Sequence, residues 1–433
     1  MSITDELIKI KERKSFDAFT NLCDGFKAAN FQAVSVLLWL YAKKGLFMFD
    51  PGMGKTFAIA MGLKALFSTN KNTKCLFLIK KTQLTQTSND IRLYTKKRVV
   101  TCTAQQEQLS KKLSKNIDNY DVLMLTHETL QSNAVCAMIT QNINRFNVLV
   151  VDEAHYLTNM TDSDRIIFLA ALAKKIEYVA FSTATPYISK PEQLSSLLNL
   201  MDCDIFERRD LITRDLKRSV RIDTLYPLQI YNYDRKSEGI ANSYKSYTHW
   251  VEPHEHQKRA EGAHYLKQLR GQGAENQVKE LVRGLKTKKE EGKKGIVFIY
   301  YKETLEWVMP FLDVANINYS CINGDTSQRS RDKIQSDFQH GLLDCVLISV
   351  ATSINLDCEY VYFYEYTLEF KQILGRGERG LNPKLMELHF IFTKQTQDAQ
   401  YFLDTVYKLS EDVRSWIGKE YSEFLQIKDD IVI

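Results

Sequence analysis

A glycine-rich turn followed by lysine and threonine is the segment of this 433-residue sequence best suited to bind a phosphate group. The stretch LFMFDPGMGKTFAIAMGL, residues 46 to 63, predicts an apolar strand, a turn and the start of a helix. Backbone N–H groups of such a turn, together with the positive end of the helix, bind phosphate oxygens. The residues predicted to contact a nucleotide here are Pro51, Gly52, Met53, Gly54, Lys55 and Thr56.

Two of these side chains have defined chemical roles in a phosphate site. The ammonium group of Lys55 neutralises the β- and γ-phosphates, and the hydroxyl of Thr56 is a ligand for Mg²⁺. The strict pattern G-x-x-x-x-G-K-[ST] would have its first glycine at position 49, where this sequence has Phe49. The turn therefore predicts a phosphate site that departs from the pattern at one residue.

A pair of carboxylates follows a second apolar strand, far downstream of the turn. In VLVVDEAH, Asp152 lies at the end of the strand and Glu153 comes next. A carboxylate at this position can hold Mg²⁺, and its neighbour can orient the water that attacks the γ-phosphate. We predict Lys55, Asp152 and Glu153 as catalytic residues, Thr56 and Asp152 as magnesium ligands, and ATP and Mg²⁺ as cofactors.

The acidic segment Asp-Glu-Ala-His, placed after a phosphate loop, resembles the DEAH-type helicases and translocases of superfamily 2. The other motifs of that family follow in order through nearly the whole chain. STATP, residues 182 to 186, is similar to the third motif, whose hydroxyls couple the nucleotide site to the nucleic-acid site. The resemblance assigns this coupling role to Ser182, Thr183 and Thr185.

A basic segment near the C-terminal end is similar to the sixth motif of the family. QILGRGER, residues 372 to 379, implies catalytic roles for Gln372, Arg376 and Arg379, with the two arginines acting as fingers on the γ-phosphate. A guanidinium group is planar and always charged, and such a finger is worth about 10³–10⁵ in rate.

The resemblance also implies contacts with adenine and with nucleic acid. Gln32 lies where the family has its adenine-reading glutamine, and an amide can pair with both a donor and an acceptor on the base. Strand ends followed by polar residues suit the binding of backbone phosphates. The predicted nucleic-acid contacts are Lys80, Lys81, Thr82, Thr126, His127, Tyr301, Asn323, Gly324, Ser349 and Thr352.

Several longer stretches resemble one branch of the superfamily, the Swi/Snf-like translocases, and the compact bacteriophage helicases of branch-migration type related to them. These stretches are FQAVSVLLWL, DPGMGKT and ATPYISKPEQLSSLLNLM. Proteins of this branch hold the phosphate backbone of DNA. The resemblance therefore implies a DNA partner, whether single-stranded, duplex or branched.

Apolar runs of strand length, separated by polar and helix-compatible stretches, must position these motifs. The first half of the chain has CLFLI, DVLMLT, FNVLVVD and YVAFST, and the second half has GIVFIYY, INYSCIN, CVLIS, YVYFYEY and LHFIFT. This rhythm is typical of parallel sheets built from βαβ units. Together with the resemblance, it predicts an α/β fold of two tandem RecA-like domains.

The rhythm changes near residue 205, which sets the predicted domain boundary. We predict a RecA-like ATP-binding domain over residues 1–205 and a RecA-like helicase C-terminal domain over residues 206–433. The stretch from about 232 to 293 is polar, charged and poor in apolar runs. We expect it to form exposed helices inserted at the start of the second domain.

Composition limits the class of protein more weakly than the motifs do. The net charge of +5 permits a polyanionic partner without requiring one. The eight cysteines show no C-x-x-C pair and no zinc spacing, which predicts reduced thiols and no structural zinc. No apolar run approaches the ~20 residues that span a bilayer, so we expect a cytoplasmic protein without a membrane partner.

The function predicted from these observations is an ATP-dependent DNA helicase or translocase, with unwinding or branch migration as its output. One alternative is a translocase that moves on duplex DNA without separating the strands. A second alternative is an ATP-dependent switch that binds a protein partner and uses no nucleic acid.

Overall fold

A computed structural model describes most of the chain. The described residues are 28–103, 117–158, 163–183, 190–202, 204–205, 209–218, 221–240, 243–260, 265–349, 356–366, 373–374, 385–417 and 431. The chain forms two compact units and passes from the first to the second after Asp234. This division lies later than residue 205, because a strand at residues 230–233 still pairs with a strand of the first unit.

Within the described residues, the first unit is built on a seven-stranded sheet. Its strands are β1 Lys44–Phe49, β2 Cys75–Ile79, β3 Val99–Cys102, β4 Val122–Thr126, β5 Val148–Val151, β6 Tyr178–Ser182 and β7 Ile230–Tyr233. Their order across the sheet is β3-β4-β2-β5-β6-β1-β7, and every neighbouring pair is parallel.

Helices connect these strands, as parallel pairing requires. In the described part of the first unit they are α1 Asn30–Ala42, α2 Lys55–Thr69, α3 Leu84–Thr95, α4 Asn133–Gln141, α5 His155–Thr158, α6 Ser163–Lys175, α7 Pro191–Met201, α8 Arg209–Lys217 and α9 Ile222–Leu225. Short 3₁₀ turns lie at Lys81–Gln83, Ile117–Asn119, His127–Gln131 and Ile143–Arg145. Every residue of the interior strands β2, β4 and β5 is buried, because helices cover both faces of the sheet.

The described part of the second unit holds a six-stranded sheet that is also entirely parallel. Its strands are β8 Ser243–Val251, β9 Gly295–Phe298, β10 Tyr319–Ile322, β11 Cys345–Ile348, β12 Tyr360–Phe363 and β13 Leu385–Thr393, in the order β10-β11-β9-β12-β13-β8. The helices described after Arg235 are α10 Tyr265–Arg270, α11 Glu275–Glu290, α12 Lys302–Val314, α13 Gln328–Gln339, α14 Asp398–Phe402 and α15 Lys408–Ile417. A 3₁₀ turn lies at Gln257–Arg259 and a π-helical turn at Leu403–Tyr407.

Alternate residues of the second sheet enter two different cores. On β9, Ile296 and Phe298 pack on one face, while Val297 packs on the other. This alternation follows from the two-residue period of a strand. Both faces are apolar and covered, so the two α/β units share one architecture, that of tandem RecA-like domains.

The segment predicted as inserted helices differs in part from the prediction. Helices α10 and α11 lie in it as expected, but residues 243–251 form strand β8, which pairs with β13 over its whole length. The sequence SYKSYTHWV is polar but rich in aromatic residues and threonine, a composition that favours strands. Helix α11 also buries Val278, Leu281 and Leu285 against the sheet, so it belongs to the core of the unit.

Among the residues described, no helix combines the length and the apolar composition needed to cross a bilayer.

Candidate active site

The phosphate loop connects β1 directly to α2. β1 ends at Phe49, whose buried ring packs edge-to-face on Phe31 at 5.2 Å between ring centroids. The strand therefore continues through the position where the strict pattern has glycine, because this side chain belongs to the core. Gly52 and Gly54 then adopt φ angles of 75° and 76°, a left-handed conformation that glycine reaches without strain.

Lys55 is the first residue of α2 and folds back over the turn. Its Nζ donates a hydrogen bond to the Phe49 carbonyl at 3.1 Å and lies 3.5 Å from the Asp50 carbonyl oxygen. Thr56 follows in the first turn of the helix and is half-buried. The ammonium group thus lies against the same backbone turn that was predicted to bind phosphate.

Gln32, the predicted adenine reader, is buried beneath the phosphate loop. Its Nε2 donates to the Met53 carbonyl at 2.8 Å, and its Oε1 accepts from the Ala29 N–H at 3.0 Å. A Cβ atom at Gly54 would lie 2.5 Å from Nε2. Gln32 therefore ties the start of α1 to the turn, and its contact with a base stays a prediction.

The acidic pair follows β5 and is largely removed from solvent. Asp152 and Glu153 are each 7% exposed. Asp152 Oδ1 accepts hydrogen bonds from the Ser182 hydroxyl and from the Glu153 N–H, the latter at 3.0 Å. Burial and the adjacent Glu153 charge raise the pKa of Asp152 to about 6, although the Ser182 hydroxyl and the Lys55 ammonium oppose the shift.

The donors around the acidic pair match those that bind magnesium and a nucleoside triphosphate. Mg²⁺ prefers one or two protein carboxylates and takes its remaining ligands from water and phosphate. Asp152 and the Thr56 hydroxyl would hold it, and the turn with Lys55 would hold the phosphates. When bound, the cation neutralises phosphate charge, and its charge would favour the ionised form of the buried Asp152 carboxyl.

Two buried histidines join the acidic segment to the ends of β4 and β6. His127 Nε2 lies 2.9 Å from the Asp152 carbonyl oxygen, and His155 Nδ1 lies 3.0 Å from the Thr183 hydroxyl. Burial lowers the pKa of both histidines, so both rings are neutral near pH 7. The structure thus brings together the predicted acidic pair, Ser182, Thr183 and His127 at one edge of the sheet.

The loop after β2 also reaches this network. Lys80 Nζ contacts the hydroxyl of Tyr156 and lies 4.4 Å from the centroid of its ring. Gln83 Nε2 lies 3.5 Å from Glu153 Oε1. Neither Gln83 nor Tyr156 was predicted as a site residue, although Gln83 ends the KKTQ segment that holds three predicted nucleic-acid contacts and Tyr156 follows Asp-Glu-Ala-His.

The other predicted nucleic-acid residues of the first unit differ in exposure. The Lys81 side chain is exposed and Thr82 is half-buried, both within the 3₁₀ turn that follows β2. Thr126 is buried, and its hydroxyl is hydrogen-bonded to that of Thr129 at 2.9 Å. Lys81 is therefore placed to meet a polyanion in solvent, whereas Thr126 supports the loop from within.

In the second unit, predicted contacts follow two neighbouring strands. Ser349 comes after β11, and its N–H donates to the carbonyl of Ile322, the last residue of β10. Asn323 comes next, with Gly324 exposed beside it. Arg331 donates to the Asn323 carbonyl at 3.1 Å. Asn323 and Ser349 therefore lie close together at the carboxyl edge of the sheet.

A buried glutamate holds the backbone of Tyr301, the predicted contact that follows β9. Glu365 Oε2 accepts from the Tyr301 N–H at 2.9 Å. Glu365 is fully buried, and burial raises its pKa to about 7. The groups around it are Thr304, the Tyr300 backbone and the Arg270 guanidinium, all of which favour its charged form to a smaller extent.

Part of the predicted site lies outside the described residues. These positions are Thr185, Thr352, Gln372, Arg376 and Arg379. Their roles stay predictions.

A parallel sheet with a phosphate loop after one strand and a buried acidic pair after another defines a RecA-like ATPase core. Residues 30–292 match the SNF2-related domain, and residues 275–380 match the helicase conserved C-terminal domain. The chain belongs to the SNF2-related domain family, and it is an ATP-dependent nucleic-acid translocase or helicase of superfamily 2.

Solved structures resemble the chain at low sequence identity. The Hef helicase domain of Pyrococcus furiosus is 15% identical, with a TM-score of 0.55 and coverage of 86% of this chain and 97% of that one. The SWI2/SNF2 ATPase core of Sulfolobus solfataricus in complex with dsDNA is 14% identical, with a TM-score of 0.42 and coverage of 91% and 94%. No curated protein matches the sequence at a significant level.

Replacing Lys55 with alanine should abolish ATP binding and lower hydrolysis by at least about a hundredfold, since the ammonium group stabilises phosphate charge. The fold should persist, because Lys55 is the half-buried first residue of α2 and lies outside the apolar core. Binding of a fluorescent ATP analogue and phosphate release measure the two effects. Lys71→Ala, an exposed lysine just beyond the same helix, is the matched control. Near-normal hydrolysis by folded Lys55→Ala would contradict the site.

Replacing Glu365 with glutamine should change how stability depends on pH. The folded-state pKa of about 7 lies above the ordinary value of 4.5. The stability that the neutral carboxyl contributes is therefore fully present below pH 4.5 and is lost as pH rises through 7. Glutamine does not ionise, so the variant should gain about 2–3 kcal/mol relative to wild type between pH 4.5 and 8.

Thermal unfolding of both proteins across this pH range measures the difference. Glu306→Gln, an exposed glutamate on α12, is the control and should parallel wild type. Identical pH profiles for wild type and Glu365→Gln would show that Glu365 is not a buried, hard-to-ionise carboxyl.

Proposed function

We propose that this protein is a DNA-dependent ATPase that couples ATP hydrolysis to movement along DNA. The observation that carries the proposal is the continuous contact network around the acidic pair. It joins Asp152 and Glu153 to the ends of β2, β4 and β6 through Gln83, His127 and Ser182. The residues that follow β2 and β4 are those predicted to bind nucleic acid, so one network links both activities.

The residues of the site have separate roles in this mechanism. Lys55 and the turn before it bind the phosphates, and Asp152 holds the magnesium ion together with Thr56. Glu153 orients the attacking water and accepts its proton. Ser182 fixes the Asp152 carboxylate, while His155 and Thr183 join the acidic segment to the loop after β6. A displacement of Thr183 would therefore be passed to the acidic segment.

Membership of the SNF2-related family supports DNA over RNA as the partner. Exposed Lys81 and the polar strand ends of both units suit backbone phosphates, which carry no sequence information. We propose unwinding or branch migration as the output, in DNA replication, recombination or repair within the cytoplasm. The likeness to compact bacteriophage helicases stays a prediction.

One set of ATPase measurements tests the proposal. Hydrolysis should be stimulated by single-stranded, duplex, forked or four-way-junction DNA more strongly than by RNA. The logarithm of the DNA affinity should fall linearly with the logarithm of salt concentration, at a slope of about −0.7 to −0.9 per neutralised phosphate. Strand displacement compared with triplex displacement separates unwinding from movement along intact duplex. ATPase activity indifferent to every nucleic acid would favour a protein switch instead.

Glu153→Gln should separate ATP binding from ATP hydrolysis. The amide keeps the shape of the side chain but cannot accept a proton from water, so hydrolysis should fall by about 10²–10⁴. ATP should still bind, since Lys55 and the turn are unchanged, and the DNA complex formed with ATP should persist. Equilibrium binding and single-turnover hydrolysis check the two halves. Parallel loss of binding and hydrolysis would count against the role assigned to Glu153.

A further inference from the structure

The loop that follows β2 makes two separate contacts with the acidic segment. This loop, Lys80–Gln83, is called the β2 loop. Lys80 at its start contacts Tyr156, and Gln83 at its end lies against Glu153. The Gln83 N–H also donates to the Lys80 carbonyl at 2.9 Å, which ties the two ends of the loop together. A displacement of Lys80 is therefore passed to Gln83.

The Gln83 amide contacts one oxygen of the Glu153 carboxylate, and His155 contacts the other. Its Nε2 lies 3.5 Å from Glu153 Oε1, while His155 Nδ1 lies 3.4 Å from Glu153 Oε2. Glu153 has a φ of 50°, so its backbone is held in an uncommon conformation. Gln83 Oε1 is buried and makes no hydrogen bond within the described part of the chain. The amide is thus directed at Glu153 at the cost of leaving its own carbonyl unpaired.

We propose that Gln83 is a positioning residue that restrains Glu153 until a nucleic-acid phosphate occupies the β2 loop. The inference rests on the proposed function and deepens it, since it names the contact through which DNA controls hydrolysis. The amide donates to the carboxylate oxygen that would otherwise accept a proton from water. Glu153 is less able to act as a base while this contact persists.

Glu153 is released when Lys80 exchanges Tyr156 for a DNA phosphate. In the structure the ammonium group lies on the Tyr156 ring and hydroxyl, which are neutral partners. A DNA phosphate is charged and forms a stronger, charge-assisted hydrogen bond with lysine. Lys80 therefore leaves Tyr156 for the phosphate, and the 3₁₀ turn that carries Gln83 moves with it. Glu153 then becomes available to the attacking water.

The variant Gln83→Leu tests the restraint, because leucine fills similar space without an amide donor. Hydrolysis without DNA should rise by about 3- to 10-fold, the range expected for the loss of one hydrogen bond. Hydrolysis at saturating DNA should change less than about twofold, so the ratio of the two rates falls. The KM for ATP should stay unchanged, because the phosphate loop is intact. Gln86→Leu, an exposed glutamine on α3, is the control and should match wild type.

Three results would contradict the role proposed for Gln83. A stimulation ratio equal to that of wild type overturns the inference but leaves the proposed function standing. An equal fall in both rates shows a merely structural role and also overturns it. If wild-type hydrolysis does not respond to DNA, both the proposed function and the inference fail.

Tyr156→Phe tests the other end of the loop independently. It removes the hydroxyl that Lys80 contacts and keeps the ring. The DNA concentration that gives half-maximal stimulation should fall by about 2- to 5-fold. In the variant, Lys80 has no hydroxyl contact to lose when it binds a phosphate. An unchanged or higher concentration contradicts the exchange at Lys80.

Discussion

Parallel pairing of β1, β5 and β6 is the constraint on which the first unit depends. Strands that run in the same direction end at the same edge of the sheet, so the residues that follow them meet there. The Thr183 N–H donates to the Phe47 carbonyl at 3.0 Å, and the Ala154 N–H donates to the Ser182 carbonyl at 2.8 Å. These ladder bonds place the phosphate loop, the acidic pair and the hydroxyls of the third motif side by side, although they are far apart in sequence. A shift of one residue in this register would turn the carboxylate of Asp152 away from Ser182.

Interior strands could be predicted from the sequence because both of their faces are buried. CLFLI and its counterparts are apolar runs, and each proved to be a strand; all of them lie inside a sheet except INYSCIN, which forms the edge strand β10. The strands that apolar runs did not reveal, β3, β7 and β8, are all at sheet edges. A strand with one neighbour keeps half-exposed residues, so its sequence stays polar, as in SYKSYTHWV. This is why residues 243–251 were assigned to helices.

The site could be predicted as far as its residues lie in motifs with a known spacing. Lys55, Asp152, Glu153, Ser182 and Thr183 are predicted in this way, and the described structure brings the acidic pair and the two hydroxyl residues into one network. Gln83 and Tyr156 could not be found, because their importance comes from contacts between loops that follow different strands. Gln32 could be located from its position before the phosphate loop. Its hydrogen bonds to the backbone of Met53 and Ala29 could not be predicted, because they depend on the fold. The sequence therefore identified the chemistry, and the fold supplied the contacts that control it.

The left-handed backbone at Glu153 links catalysis to stability at a single residue. A residue with a side chain pays about 1 kcal/mol or more to hold this conformation, whereas glycine adopts it freely. A chain selected for stability alone would therefore gain by losing the carboxylate that the reaction needs. Retaining glutamate at this position is a compromise between robustness and turnover, and the surrounding sheet must be stable enough to tolerate it.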